Sequence, residues 1–322
     1  MINCIALVGR TPSLPAALRQ GGSRTNSVRQ GAGPPCGTGV EGAPLEAAKG
    51  RMMMNNKKVA LLGAGNMGRA IVLGMLASGK YDAKNIVAAD RSQACRDILS
   101  EKGVAVFELS ADATNGADIV ILATKPNGLE TLASEMKDSI KCGAVLVSIC
   151  AGKTISSLEA LFGEDKKIVR VMPNTPAMVG VGMSALCVNK NVSKDELDEI
   201  VAIFSSFGYA EVVEEELMHT VTGISGSGPA YAFMFIDCLA KAAVQHGMTK
   251  EQAKKFAAQT VLGAAKMVLE SDVSPEQLKI NVCSPGGTTI EAVKVFDECD
   301  LEGIVKNAVT ACINKSKWMS EQ

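Results

Sequence analysis

The stretch Gly63-Ala-Gly65-Asn-Met-Gly68 constrains this chain more than any other. It follows a short apolar run, Val59-Ala-Leu-Leu62. It opens a segment from Asn66 to Ser78 in which Met67, Ile71, Met75 and Leu76 recur at helical spacing. Glycines at these positions of a strand-to-helix turn have separate duties. Gly63 permits the tight turn, Gly65 lets a pyrophosphate approach the backbone, and Gly68 lets the helix sit close to the strand. The helix N-terminus then presents N–H groups and a partial positive charge to phosphate. In this context the pattern reads as a dinucleotide fingerprint. Leu62, Gly63, Ala64, Gly65, Asn66, Met67 and Gly68 are the candidate cofactor-binding residues, and a glycine turn without a ligand is the plain alternative.

The pattern continues as strands alternating with helices. Strand-like runs follow at Ile86–Asp90, Val104–Phe107, Ile119–Ala123, Ala144–Ile149 and Ile168–Val171, mostly separated by helical segments. Near-continuous Val/Ile/Leu/Ala runs suit a parallel sheet covered on both faces. Ala185–Val188 and Tyr209–Val213 flank a helix over Lys194–Ser206 and close the domain. After Glu214 the strand pattern stops. Pro229–His246, Lys250–Glu270, Pro275–Val282, Thr288–Phe296 and Leu301–Met319 read as helices. The expected fold is therefore α/β: a Rossmann-type doubly wound parallel sheet over residues 55–213, then an all-helical domain over 214–322. The stretch Ala230–Leu239 is apolar nearly all round, so it is buried in a core or against a second subunit.

Carboxyl ends of parallel strands bind ligands in such sheets. Asp90 ends the second strand, where an acid holds the ribose 2′-OH of NAD. Arg91 follows, and an arginine there pairs with the 2′-phosphate of NADP. The two argue in opposite directions, so the cofactor stays open between NADPH and NADH. Ala123-Thr124-Lys125-Pro126 and Cys150-Ala151 end the next central strands and join the cofactor candidates. Lys125 can reach a phosphate or ribose, or stand solvated. Cys150 reads better as a small buried filler, since nothing nearby activates a thiolate. The turn Met172-Pro-Asn-Thr-Pro176 lies beside the same crevice.

Composition removes other classes. Lys+Arg total 33 against 34 Asp+Glu, a net charge of −1, and aromatic residues make up 4%. Neither a basic surface nor stacking platforms for nucleic acid are expected. No apolar run approaches the ~18 residues of a membrane span. The ten cysteines contain no CxxC pair, which disfavours a metal or redox motif and fits a reducing compartment. The cytoplasm is the expected location. Residues 1–54 read as a disordered extension rich in Gly, Pro, Ser and Ala. They are either a transit peptide or the product of a start upstream of Met52–Met54.

Two further glycine blocks precede helices: Thr222-Gly-Ile-Ser-Gly-Ser-Gly-Pro-Ala-Tyr231 and Ser284-Pro-Gly-Gly-Thr288-Thr289. The second offers consecutive amides and hydroxyls at a helix start, a site for a small carboxylate or a simple cap. With Ala151-Gly-Lys-Thr-Ile-Ser-Ser157, Met172–Pro176 and Gly263-Ala-Ala-Lys266, these blocks closely resemble pyrroline-5-carboxylate reductases, in the family's order, over about 265 residues. The resemblance implies reduction of 1-pyrroline-5-carboxylate to L-proline by NAD(P)H, the final step of proline synthesis. It implies a catalytic Thr289 at the imine nitrogen and substrate-carboxylate contacts from the amides of Thr288 and Thr289. It also places Glu215 near the proline ring and Asn281 against the cofactor, and implies a homodimer or larger homo-oligomer. Two readings compete. One is another two-domain dehydrogenase acting on a small hydroxy acid, for which Lys266 is the one motif lysine. The other is a non-catalytic NAD(P)-binding protein.

Overall fold

The structure is a computed structural model and describes residues 56–321, all within one compact unit. The expectations for residues 1–54 fall outside the described residues. Eight strands form one sheet: β1 (Val59–Leu62), β2 (Ile86–Ala89), β3 (Ala105–Phe107), β4 (Ile119–Leu122), β5 (Val145–Ser148), β6 (Lys167–Met172), β7 (Gly182–Val188) and β8 (Gly208–Val212). Their order is β3-β2-β1-β4-β5-β6-β7-β8. The first six are parallel, in register from Val59↔Ile86 and Val59↔Ile119 outward. Between them run α1 (Asn66–Ala77), α2 (Gln93–Ser100), α3 (Ser110–Thr114), α4 (Leu129–Met136) and α5 (Ile155–Phe162), and α6 (Lys194–Phe204) crosses from β7 to β8.

Every residue of β1, β2, β4 and β5 is buried, which is why these runs are apolar without alternation. The pleat sorts them onto two cores. Val59, Leu61, Ile119 and Ile121 face α1 and α6 with Ile71, Met75, Phe204 and Phe207. Ala60, Leu62, Val120 and Leu122 face α4 and α5 with Leu129, Leu132 and Leu158. Two strands depart from a purely parallel sheet: β7 runs antiparallel to β6, and β8 runs parallel to β7. The connection between β6 and β7 is short and holds the 3-10 turn Thr175–Val179, and a parallel return needs a dozen or more residues.

The rest is helical: α7 (Met218–Val221), α8 (Gly228–Gln245), α9 (Lys250–Glu270), α10 (Pro275–Val282), α11 (Thr288–Glu298) and α12 (Leu301–Ser320). The first glycine block differs from a plain loop. Thr222–Gly226 continues α7 as a π-helical turn, closed by the Ser227 N–H on the Thr222 carbonyl at 2.9 Å. Thr249 caps α9 reciprocally with Gln252. None of the described helices is long and apolar enough to cross a membrane.

Candidate active site

Strand order reverses at β1, which has β2 on one side and β4 on the other. A cleft of about 640 Å³ opens there. It is lined by the glycine turn at Gly63 and Gly65, by Asp90 and Arg91 after β2, and by Ala123, Thr124 and Lys125 after β4. The three glycines divide their work as the sequence suggests. Gly63 has φ +104°, and a Cβ there would lie 2.6 Å from the Ala123 carbonyl oxygen. A Cβ on Gly68 would lie 2.1 Å from the Gly63 oxygen. On Gly65 it would meet nothing within 4 Å. The outer two glycines serve the protein's own packing, and the middle one keeps space open. Gly65 is also the N-cap of α1 and no side chain caps that helix, so its first N–H groups are left to a ligand.

Two more observations fit a dinucleotide. Thr124 Oγ1 is buried in the cleft wall with no hydrogen-bond partner, a cost of ~1–3 kcal/mol unless a bound group meets it. Asp90 is already aimed: Oδ2 accepts the Ala64 N–H at 2.7 Å and Oδ1 accepts the Ser92 N–H at 2.8 Å. Each oxygen keeps a lone pair for a ribose hydroxyl. Arg96 holds this turn by donating to the carbonyls of Asp90 and Arg91 at 2.6 and 3.0 Å. Arg91 itself donates to Glu135 at 2.7 Å. Glu135 and Glu108 also line the cleft. Sequence reading missed both, because they sit on different elements with no motif to announce them.

The other cofactor candidates take different positions. Leu62 and Ala64 are buried, and Met67 packs against the core, so they act through backbone placement. Asn66 is exposed and accepts from Arg69. Cys150 faces inward at 4% exposure and donates its thiol to the Thr124 carbonyl at 3.3 Å. Burial raises its pKa. It is the filler that its surroundings suggested and does not line the cleft. Pro126 and Ala151 line a second, adjoining cleft.

The helical candidates are not brought to the cleft within one chain. Asn281 is exposed on α10 and accepts from Gln277 at 2.9 Å. Gly286 has φ +71°, and the Gly287 N–H closes on the Ser284 carbonyl at 2.9 Å. Gly287, not a threonine, is the N-cap of α11, and no side chain caps that helix. Thr288 is exposed and Thr289 half-buried in the first turn. Glu215 does not stand beside them. Its Oε1 accepts from the buried Arg170 guanidinium and from the Ile155 N–H, both at 2.8 Å. It ties the start of the helical region to β6 and α5. Lys266 pairs with Glu270 along α9 at 3.6 Å, as a surface residue would.

The helices leave a broad apolar face uncovered. Phe233, Met234, Phe256, Leu262 and Leu269 are 64%, 68%, 64%, 58% and 78% exposed. A groove of about 740 Å³ runs along α8 and α9 past Phe233, Ile236, Ala240 and Val244. A face of that extent marks an interaction site.

A nucleotide cleft on an open sheet, followed by helices that cannot cover their own apolar face, is the plan of a dinucleotide-dependent oxidoreductase built as a homo-oligomer. Comparison with known proteins narrows that class. Residues 58–152 match the family model described as NADP oxidoreductase, coenzyme F420-dependent. Residues 215–319 match the one described as pyrroline-5-carboxylate reductase dimerisation. The chain is 44% identical over 269 residues to the pyrroline-5-carboxylate reductase of Escherichia coli K12, spanning 82% of this chain and 99% of that one. It is 36% identical over 265 residues to the Arabidopsis thaliana enzyme of that name, spanning 82% and 96%. Among solved structures, a Plasmodium falciparum pyrroline carboxylate reductase with NADP bound superposes with a TM-score of 0.76 at 34% identity, over 83% of this chain and 99% of that one. A Coxiella burnetii pyrroline-5-carboxylate reductase gives 0.78 at 38%, over 83% and 100%. The chain belongs to the pyrroline-5-carboxylate reductase family.

Proposed function

We propose that this chain reduces the C=N bond of 1-pyrroline-5-carboxylate to give L-proline, using NADPH or NADH in the cleft at the β1/β4 crossing. The observation that carries the reading is the start of α11. Its first-turn amides have no capping side chain, and Thr289 stands among them. Uncapped N–H groups and the helix dipole suit a small carboxylate, and the Thr288 and Thr289 amides hold it. The Thr289 hydroxyl hydrogen-bonds to the ring nitrogen, which gains electron density as the neighbouring carbon takes a hydride and which takes up one proton from solvent to become the amine. The bound nicotinamide supplies the hydride. The protein's own part is to orient the ring and keep it from water.

Several finer points go with this reading. The sheet half is the NAD(P)-binding domain, residues 55–213, and 214–322 is the substrate and dimerisation domain. The two half-sites lie apart in one chain, so the working site forms in the homo-oligomer, when a second copy covers α8 and α9. Eight free cysteines among the described residues support a reducing compartment, the cytoplasm.

The test is NAD(P)H oxidation with pyrroline-5-carboxylate against a panel of hydroxy and keto acids. Turnover of the panel but not of the imine would overturn the reading. Within it, Thr289→Ala lowers kcat/KM by roughly 10–1000-fold, about 1.4–4 kcal/mol of transition-state stabilisation. Thr289→Ser keeps most of the activity. Equal losses in the two variants would remove the hydroxyl from the chemistry.

A further inference from the structure

Helix α12 ends beside the sheet. Its last turn places Trp318 and Met319 with Pro126, Asn127, Ala151 and Lys153 around a second cleft of about 520 Å³. This cleft shares Asn127 with the nucleotide cleft and continues it around the turn Pro126–Gly128. It lies off the carboxyl ends of β4 and β5. The helix end is seated closely. Gly152, at φ +76°, would place a Cβ 3.2 Å from Met319 Cβ, so a side chain in the loop after β5 would be strained and would press on the helix.

Trp318 is the single tryptophan of the chain. It belongs to neither sheet core and remains 50% exposed, so packing does not explain an indole there. Lys315 Nζ stands over the ring, 3.4 Å from its centroid, which restrains its orientation. The ring is held in place yet left open on a cleft.

We propose that Trp318 is a cofactor-binding residue, its indole forming the outer wall of the nicotinamide end of the site. The inference rests on the reductase reading for the class of cofactor and goes on to a residue outside the glycine turn and strand ends. The geometry sets the path. Asp90 and Arg91 mark the end that takes the adenosine ribose. The open space at Gly65 takes the pyrophosphate. The other half of the dinucleotide then runs past Lys125 to Pro126 and Ala151, where the second cleft opens. In the oxidised dinucleotide the pyridinium ring arriving there is planar and electron-poor, and an indole is the side chain best suited to stack on it.

The lone tryptophan makes the contact measurable on the intact oligomer. Oxidised dinucleotide does not absorb in the range of indole emission, so its quenching of Trp318 reports contact rather than energy transfer. NAD+ or NADP+ is expected to quench that emission strongly. ADP-ribose and its 2′-phosphate, which lack only the nicotinamide ring, leave it nearly unchanged. By calorimetry, Trp318→Ala raises the dinucleotide Kd by about 5–100-fold, the range of one lost stacking contact. The same variant moves the ADP-ribose Kd less than about twofold, and Trp318→Phe recovers most of the affinity. Oxidised dinucleotide that binds by calorimetry without quenching would overturn the inference, as when a second copy covers the indole. So would a Trp318→Ala variant that weakens ADP-ribose as much as dinucleotide, since that is a structural effect, or one that weakens neither. Those results leave the reductase reading standing. Absence of all nucleotide binding would overturn both.

Discussion

The sheet and the helices that follow it are equally regular and very unequally buried. Beyond residue 213, among the described residues, the buried apolar side chains are Met218, Ala253 and Ala257. The central strands of the sheet are buried throughout. Local signals do not explain the contrast. The reciprocal Thr249 cap on α9 is as complete as the Ser193 cap on α6, and the Asp300 side chain caps α12 by accepting the Gly303 N–H. What differs is where the apolar face finds its cover. The sheet supplies its own layers on both sides, and the apolar face of α8 and α9 is left uncovered within one chain. A large apolar side chain contributes ~1.5–3 kcal/mol when fully covered, so a face with Phe233, Met234, Phe256 and Leu269 has much to gain from assembly.

The harshest test of that contrast is a charge on the uncovered face. Phe233→Glu is expected to leave helix content unchanged and turn the oligomer into monomer by light scattering. Activity falls to background, because the Thr289 half-site is no longer completed. NAD(P)+ binding to the sheet persists within about threefold, as expected for a half that is complete alone. A variant that stays oligomeric and active would show that α8 is not the joining surface.

The counterpart in the sheet is Gly65→Val. Space is free around Gly65, so melting temperature is expected to hold while nucleotide affinity drops by roughly 100-fold or more, the new side chain filling the phosphate's place. Gly68→Val reverses the pattern. Its Cβ would be 2.1 Å from the Gly63 oxygen, so stability falls by about 1–3 kcal/mol or more. Thermal melts and calorimetric titrations of the pair separate ligand space from packing space. Equal loss of stability in both variants would mean that Gly65 also serves the fold.

The same division explains what could be read from the sequence. β1 and α9 match their expected bounds, and most other elements match within a residue or two. Apolar runs and caps are local signals. The antiparallel β7 was not legible, because a strand's direction depends on how far the chain must return. The π-helical turn at Thr222–Gly226 was not legible either. Its glycines lie ahead of the helix expected from Pro229, and the turn is tied by Asn174, which donates to the Ser225 carbonyl at 3.2 Å from across the fold. The cleft residues carried by the motif were found. Glu108 and Glu135 come from separate parts of the chain and meet at the cleft only in three dimensions. Glu215 was placed near the substrate by the resemblance alone, and no sequence signal announced that its carboxylate also accepts from Arg170 and the Ile155 N–H.

A smaller effect is expected at Asp90. Asp90→Ser moves the ratio of kcat/KM values toward NADPH by roughly 3–30-fold, since a like charge near the 2′-phosphate disappears and Arg91 remains. The acceptor for the Ala64 N–H is lost as well, so affinity for both cofactors falls somewhat. Kinetics with both nicotinamides give the ratio. An unchanged ratio would mean that Asp90 supports the glycine turn and does not face the ribose, leaving Glu135 to counter Arg91.

The smallest effect concerns pH and again divides the two regions. Asp118 immediately precedes β4 and receives the Lys58 N–H at 2.9 Å, while Lys141 pairs with its other oxygen. Burial pushes its pKa up, but the hydrogen bonds from Lys141 and Lys58 and the nearby lysine charges outweigh this and hold it below the ordinary value. A carboxylate with a lowered folded pKa contributes stability that is fully present above its unfolded pKa, about 3.9. That contribution is lost as pH falls through the folded value. Asp118→Asn is therefore expected to cost about 1 kcal/mol near neutral pH, a shift of ~2–4 °C in melting temperature. The gap between variant and parent closes as pH falls below about 4. Glu302 on α12 pairs with Lys306 at the open surface, so Glu302→Gln serves as the helical control and shifts melting by less than about 1 °C. Melting curves from pH 7 down to pH 3 decide the matter. An Asp118→Asn deficit that persists undiminished in acid would show that the asparagine packs badly and that the charge is not what ties β1 to β4.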